Sequence, residues 1–461
     1  MSDMFDNFSQ SAPRVAILGA GFGGLAVGMR LAAGGWDVTV VDRLETPGGR
    51  ATAITTRGHR FDLGPTLLTE PDLLRRLFLD CGEDPDTALS LSASNPLWTI
   101  RAPDGRELPI SFGDDMTETV RRHAPSDLTG WLQMWRENGV PQKPGTPSDV
   151  IARLRRLLPG PRLMSRVERQ VKDPQLRMAL ALPSVFMARN ARRTGLDHSL
   201  PEILRGGIVG SRGGLGTVAQ KMADVIVRRG GMLRLGCEVT AVLDPSPRPG
   251  LQLADGEVIR ADVVVTACPP VTTSRPQPDE TSAFIWHFGT RDTARLWPDV
   301  GQHTILSSRD MRANLNQIER GQLPDDPVLH LHRATLADPA SAPSGGDTFY
   351  VLVPVPHLAH RTPLRWSDAA PVLRNRVMAR LDGVIPGFAD RIAASLTMTP
   401  EDMRDRYLSP HGVAAPRGSR VRGHGPIYNL VSGVSGGLAG AIAGAEALAA
   451  ALPRRVGVEQ V

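Results

Sequence analysis

The sequence predicts an α/β fold in which a Rossmann-type dinucleotide-binding domain is interrupted by an inserted α+β domain. Three observations predict it. A strand, a glycine turn, a helix and a second strand follow one another from Arg14 to Asp42; patterns able to complete the same sheet return after Gly206 and again from Ile427; and the stretches between them lack that alternation. The chain has 461 residues, more than one compact domain holds, with apolar content for two cores.

The first unit carries the chemistry. Val15 to Leu18 is an apolar run whose length and branched residues suit a strand buried on both faces. Gly19, Gly21 and Gly24 then supply G-x-G-x-x-G. The first glycine permits a tight turn, the second lets backbone approach a pyrophosphate, and the third lets the next helix pack close to the strand. Phe22 and Gly23 stand at the same helix start, whose free N–H groups and dipole favour phosphate, and they count with the glycines as cofactor contacts. A second buried strand from Trp36 to Val41 ends at Asp42, where a carboxylate can accept bonds from ribose hydroxyls.

The strand runs on into Arg43 and then Thr46-Pro-Gly-Gly-Arg-Ala51. Gly48, Gly49 and Arg50 resemble the second clamp of FAD-binding proteins of the glutathione-reductase and amine-oxidase type. That resemblance implies bare backbone near the flavin end of the cofactor, an Arg50 that helps neutralise the diphosphate, and FAD rather than NAD. Arg43 is counted among the same contacts. An ordinary surface turn is the alternative, since Pro-Gly-Gly would also make one.

Composition narrows the partners. The formal charge is +5, lysine occurs only at Lys143, Lys172 and Lys221, and the arginines are spread along the chain rather than gathered with aromatics. Nucleic acid is therefore not expected as a partner, and an anionic membrane surface suits the basic excess better. Cys81, Cys237 and Cys268 are far apart and form neither a disulfide framework nor a zinc site, which fits a reducing cytoplasm. The first ten residues lack a signal-peptide layout, so a cytoplasmic location is expected, with peripheral contact at the inner face of the membrane as a further expectation. The stretch from Asn429 to Leu452 is rich in Gly and Ala and contains Glu446, which suits a core helix closing the cofactor site better than a membrane span.

Further along, Phe61-Asp-Leu-Gly-Pro-Thr-Leu-Leu-Thr69 precedes a helix opened by Pro71 and running to about Leu79. Asp62 can cap or hold this loop, and Gly64, Pro65 and Thr66 set a backbone course past the flavin ring. PGGRA followed by FDLGPTLLTEP and a helix resembles the bacterial phytoene desaturase family, the carotenoid-forming FAD-dependent oxidoreductases of the amine-oxidase-like clan.

Between residues 87 and 204 the dinucleotide-binding pattern is absent. Trp98 to Ile110 alternates around Asp104-Gly105, a hairpin signal. The run from Val150 to Leu158 places apolar residues on one face of a helix, with Arg153, Arg155 and Arg156 largely off it. Such a helix can lie on a membrane or pack on its own domain with a solvated basic face; resemblance to enzymes of lipid-soluble polyenes favours the first. The segments from Asp173 and from Pro183 to Thr194 resemble that family's substrate region.

From Gly206 the chain returns to the cofactor domain. Gly213-Gly-Leu-Gly216 precedes an amphipathic helix to about Arg228, although a plain loop and helix start would read the same way. Strands at 232–235 and 238–243, a hairpin through Asp255-Gly256 and a buried strand at 263–266 follow; by resemblance, the backbone at Val239 meets the adenine. A second excursion, from Val271 to about Leu396, contains strands at 328–331 and 349–353 and a helix from Asp368 to Leu381. His330 and His332 share a strand face, but without a matching Cys or acidic set no metal is expected. His303 has no assigned role. Near the C-terminus, Gly433, Gly436, Gly437 and Gly440 leave backbone free beside the flavin, and the helix that carries Leu438, Gly440 and Ala441 points its N-terminus at the ring. This stretch is shorter than the corresponding turn of the family.

The expected FAD-binding domain comprises residues 12–86, 205–270 and 397–455; residues 87–204 and 271–396 form a substrate domain whose first part faces the membrane. The reaction implied by the resemblance is desaturation of an apolar isoprenoid polyene, with hydride passing to flavin, a proton to water or to a base that sequence does not identify, and electrons onward to oxygen or a quinone. The alternatives are a flavin-dependent polyene isomerase or an amine oxidase of the same clan, and a non-enzymatic prenyl-lipid carrier of the same fold.

Overall fold

The computed structural model describes residues 12–111, 113–137, 162–186, 188–194, 200, 204, 207–244, 248–268, 276–277, 279–415, 422–430 and 437–452. The amphipathic run 150–158 and the glycines at 433 and 436 lie outside them.

One sheet has six strands, in the order Met232–Arg234, Asp37–Val41, Arg14–Leu18, Val263–Thr266, Ile427–Asn429 and Arg422–His424. The first five are parallel and the last is antiparallel to its neighbour. The central strands are buried on both faces, and their alternation divides two cores. Val15 and Ile17 pack with the helices Phe22–Ala33, Gly214–Arg228 and Gly437–Ala451, whereas Ala16, Val41 and Val264 pack with Leu251, Leu253 and Ala261 of an antiparallel three-stranded sheet. Three separate parts of the chain thus complete one sheet.

The second sheet has seven strands: Ile392–Met398, Ser282–Thr290, Asp347–Val355, Leu329–Arg333, His303–Leu306, Trp98–Arg101 and Glu107–Ile110. The expected hairpin around Asp104-Gly105 is present, and it joins this sheet through a parallel pairing with His303–Leu306. On one face Phe284, Trp286, Phe288, Phe349, Val351 and Val353 pack against Trp366, Leu373, Val377 and Leu381 of the helix Trp366–Asp382. On the other face Ala283, Ile285 and Tyr350 meet Leu63, with Leu44 and Ile54 packed against the same cluster. The second face positions the site.

No described helix is long and apolar enough to cross a membrane.

Candidate cofactor and substrate site

Gly19 has φ +108° and donates its N–H to Val41 O at 2.8 Å, so the chain leaves the first strand through a left-handed turn. A Cβ at Gly24 would lie 1.9 Å from Gly19 O, so the helix packs on the turn only because that Cβ is missing. A Cβ at Gly23 would lie 3.0 Å from Leu430 and 3.7 Å from Cβ of Ala441, which brings the C-terminal helix against the first one. Gly21 is different: a Cβ there would meet nothing within 4 Å. Its backbone faces open space, at the N-terminus of a helix whose first turn carries no acid and whose first residue, Phe22, is buried.

The second clamp lies directly against the first. Gly48 and Gly21 form a parallel bridge, Gly48 N donates to Ala20 O at 2.8 Å, and a Cβ at Gly49 would lie 3.2 Å from Cα of Gly21. Both Gly48 and Gly49 have positive φ. Arg50 donates to Ala414 O at 2.6 Å and has no carboxylate partner among the described residues; burial lowers its pKa, only partly offset by Tyr407. A cation in that state fits a diphosphate. Gly64 passes so close that a Cβ would lie 1.8 Å from Arg50 O, which carries the loop of Gly64, exposed Pro65 and half-buried Thr66 alongside the clamp.

Asp42 closes the other end. Its Oδ2 accepts from Ala20 N at 2.6 Å and its Oδ1 from Leu44 N at 2.8 Å, so the carboxylate is fixed at the strand tip with lone pairs to spare. Asp42 also exchanges backbone bonds with Arg234 O and Cys237 N, which places Val239, two residues further on, beside it. In the helix Gly437–Ala451, Leu438 and Ala441 are half-buried and Gly440 is buried, with Ala441 at the start of the first helix. Gly433 lies outside the described residues. Arg43 turns its side chain elsewhere: its guanidinium donates to the carbonyls of Asp405 and Arg406 and anchors the end of the helix Pro400–Tyr407. The open backbone at Gly21, the paired glycines and an Arg50 with no carboxylate partner among the described residues together fit a dinucleotide.

The facing sheet carries a row of rings that sequence reading assembled only in part. His287 pairs across strands with Tyr350, Tyr350 with His332, and His332 with His303. All four are buried. Their ring centroids are 5.2, 6.4 and 4.4 Å apart in that order, His287 lies 5.5 Å from Phe61, and His303 Nδ1 stands 3.1 Å from His330 Nε2. Burial pushes His287 and His332 down to about 3 and His330 to about 4, and holds His303 well below its usual range. Both ring nitrogens of His287, and Nε2 of His303, have no hydrogen-bond partner among the described residues. His303 and His332 are stacked, and no group of three metal-ligating side chains among the described residues could hold a metal ion.

Comparison with known proteins agrees with this geometry. The family described as flavin containing amine oxidoreductase matches residues 22–299. The phytoene desaturase (neurosporene-forming) of Cereibacter sphaeroides is 36% identical over 440 residues, covering 88% of this chain and 85% of that protein. Its counterpart from Rhodobacter capsulatus is 37% identical over 437 residues, covering 87% and 83%. An oxidoreductase from Methanosarcina mazei superposes with a TM-score of 0.64 at 18% identity, covering 94% of this chain and 99% of that one, a likeness of fold. The cofactor is FAD. The chain belongs to the flavin containing amine oxidoreductases and, within them, to the bacterial phytoene desaturase family.

Proposed function

We propose that this protein is a FAD-dependent desaturase of a linear isoprenoid polyene of the phytoene class, working with oxygen or a quinone as electron acceptor. Bound FAD supplies the hydride acceptor. The backbone at Gly21, Gly48 and Gly49 leaves room for the diphosphate, Arg50 neutralises it, and Asp42 orients the ribose. The observation that carries the reading is the apolar face at the seam of the two sheets, where Ile285, Leu352 and Leu396 meet Leu63 and Ile54 just beyond the clamp. A polyene has no group to hydrogen-bond, so shape and dry walls have to orient it. On this reading the basic amphipathic run 150–158 draws the substrate from a membrane surface.

Phytoene in liposomes, incubated with the FAD-loaded protein in air or with a quinone under argon, tests the proposal. A product of longer conjugation supports it, and the condition that sustains turnover identifies the acceptor. Unchanged phytoene in both conditions, with flavin bound, removes this substrate class.

A further inference from the structure

A tunnel for an apolar chain gains nothing from buried imidazoles, which a polyene cannot hydrogen-bond, so the row on the second sheet requires its own explanation. Its hydrogen-bonded pair has a definite place. Ile305, two residues from His303 on the same strand face, belongs to one apolar cluster with Leu67, which directly follows Gly64-Pro65-Thr66, and with Phe186. Phe186 also lies 5.3 Å from His330. The pair therefore sits where the helix Pro174–Phe186 meets the sheet, beside the apolar cluster against which Leu67 of the Gly64-Pro65-Thr66 loop also packs.

In the bond between His303 Nδ1 and His330 Nε2, one nitrogen donates and the other accepts. Whichever tautomer holds, one outer nitrogen of the pair, Nε2 of His303 or Nδ1 of His330, keeps an uncommitted lone pair. Desaturation breaks two C–H bonds: one hydrogen leaves with both electrons to the flavin, and the other leaves as a proton while its electron pair becomes the new π bond. Resting on the desaturase reading above, we propose that the His303–His330 pair accepts that proton. It adds to the outer lone pair, the shared hydrogen bond spreads the charge over both imidazoles, and the proton returns to solvent between turnovers. Burial keeps both rings neutral at physiological pH, so the lone pair is present, and a base even this weak takes a proton from an allylic cation.

The test uses the full-length, FAD-loaded protein and anaerobic single-turnover bleaching of the flavin by phytoene in liposomes, with flavin absorbance and liposome-bound polyene measured separately. His303→Ala and His330→Ala are expected to bind FAD and polyene as the parent does but to bleach at least about a hundredfold more slowly, with added imidazole restoring rate in a saturable way. The double variant His303→Phe/His330→Phe keeps ring volume and packing without a lone pair on either strand, and stays slow and unrescued. His330→Gln, which keeps an acceptor for His303, guards against misfolding of the alanine variants and is expected to fall between the parent and the double Phe variant. Parent-like bleaching in the double Phe variant, or alanine variants that bind both ligands and ignore imidazole, would show that the pair only packs. If the parent protein itself fails to bleach, the desaturase reading falls and this proposal with it.

Discussion

The Cβ that alanine would add at Gly24 falls 1.9 Å from the carbonyl oxygen of Gly19, whereas the one it would add at Gly21 meets nothing within 4 Å. These two glycines of one motif therefore fail differently. Gly24→Ala forces helix and strand apart and is expected to cost roughly 1–3 kcal/mol of stability together with the cofactor. Gly21→Ala, at an ordinary φ of −73°, is expected to leave the apoprotein's melting temperature unchanged and to weaken FAD by about tenfold or more. Thermal melts of apoprotein and fluorescence titration with FAD separate the two. Equal loss of stability in both variants would contradict the assignment of Gly21 to the phosphates.

Arg50 is a half-buried, partly desolvated cation that donates to the carbonyl of Ala414 and has no carboxylate partner among the described residues. Arg50→Met removes a desolvated charge, so the apoprotein is expected to be at least as stable as the parent. FAD affinity is expected to fall by about tenfold or more, since charge-assisted hydrogen bonds to the diphosphate are lost. Titration of apoprotein with FAD and with riboflavin checks this, because riboflavin lacks the diphosphate and should bind both proteins alike.

Both clamps are legible in sequence because each glycine answers a local demand: positive φ at Gly19, Gly48 and Gly49, close approach at Gly24 and Gly64. The seven-stranded sheet is less so. Ser282–Thr290 is buried along its whole length, so no alternation of polar and apolar residues separates the face of His287 from that of Trp286. His330 and His332 share a face by spacing alone, but their meeting with His303 and Tyr350 depends on strand register, which residues far apart in the chain determine jointly. The side-chain partners of Arg43 were hidden for a related reason: its proximity to Asp42 in sequence gave no sign that Asp405 and Arg406 would offer it carbonyls.

Asp62 gives a pH signature. It is half-buried at the start of the helix Gly214–Arg228, and desolvation raises its pKa to about 6 despite Arg60 nearby. Its native pKa exceeds its unfolded value, so the native state holds this proton more tightly; stability is lost as pH rises between the two values and stays lost above them. Asp62→Asn is therefore expected to stabilise the protein by ~1–3 kcal/mol at about pH 8 and to have no effect below about pH 4. Denaturant melts of both proteins across that range decide it; a pH-independent difference would contradict the cause.

Arg333 and Asp347 form a buried pair on adjacent strands of the seven-stranded sheet. Nε and Nη2 of Arg333 donate to the two carboxylate oxygens at 2.9 and 3.0 Å, and the hydroxyls of Thr293 and Thr335 donate to the same carboxylate. Asp347→Ala leaves the guanidinium buried without a counter-charge and is expected to cost about 3–5 kcal/mol, measured by denaturant unfolding. A cost below about 1 kcal/mol would place the pair with surface salt bridges.

The visible spectrum of the purified, FAD-loaded protein, recorded before and after anaerobic addition of phytoene in liposomes, tests the functional reading most directly. Bleaching of the oxidised flavin together with the growth of longer-wavelength polyene bands is expected. Flavin that stays oxidised while phytoene is bound would contradict desaturation of this substrate, and a protein that takes up no flavin on reconstitution would contradict the cofactor assignment itself.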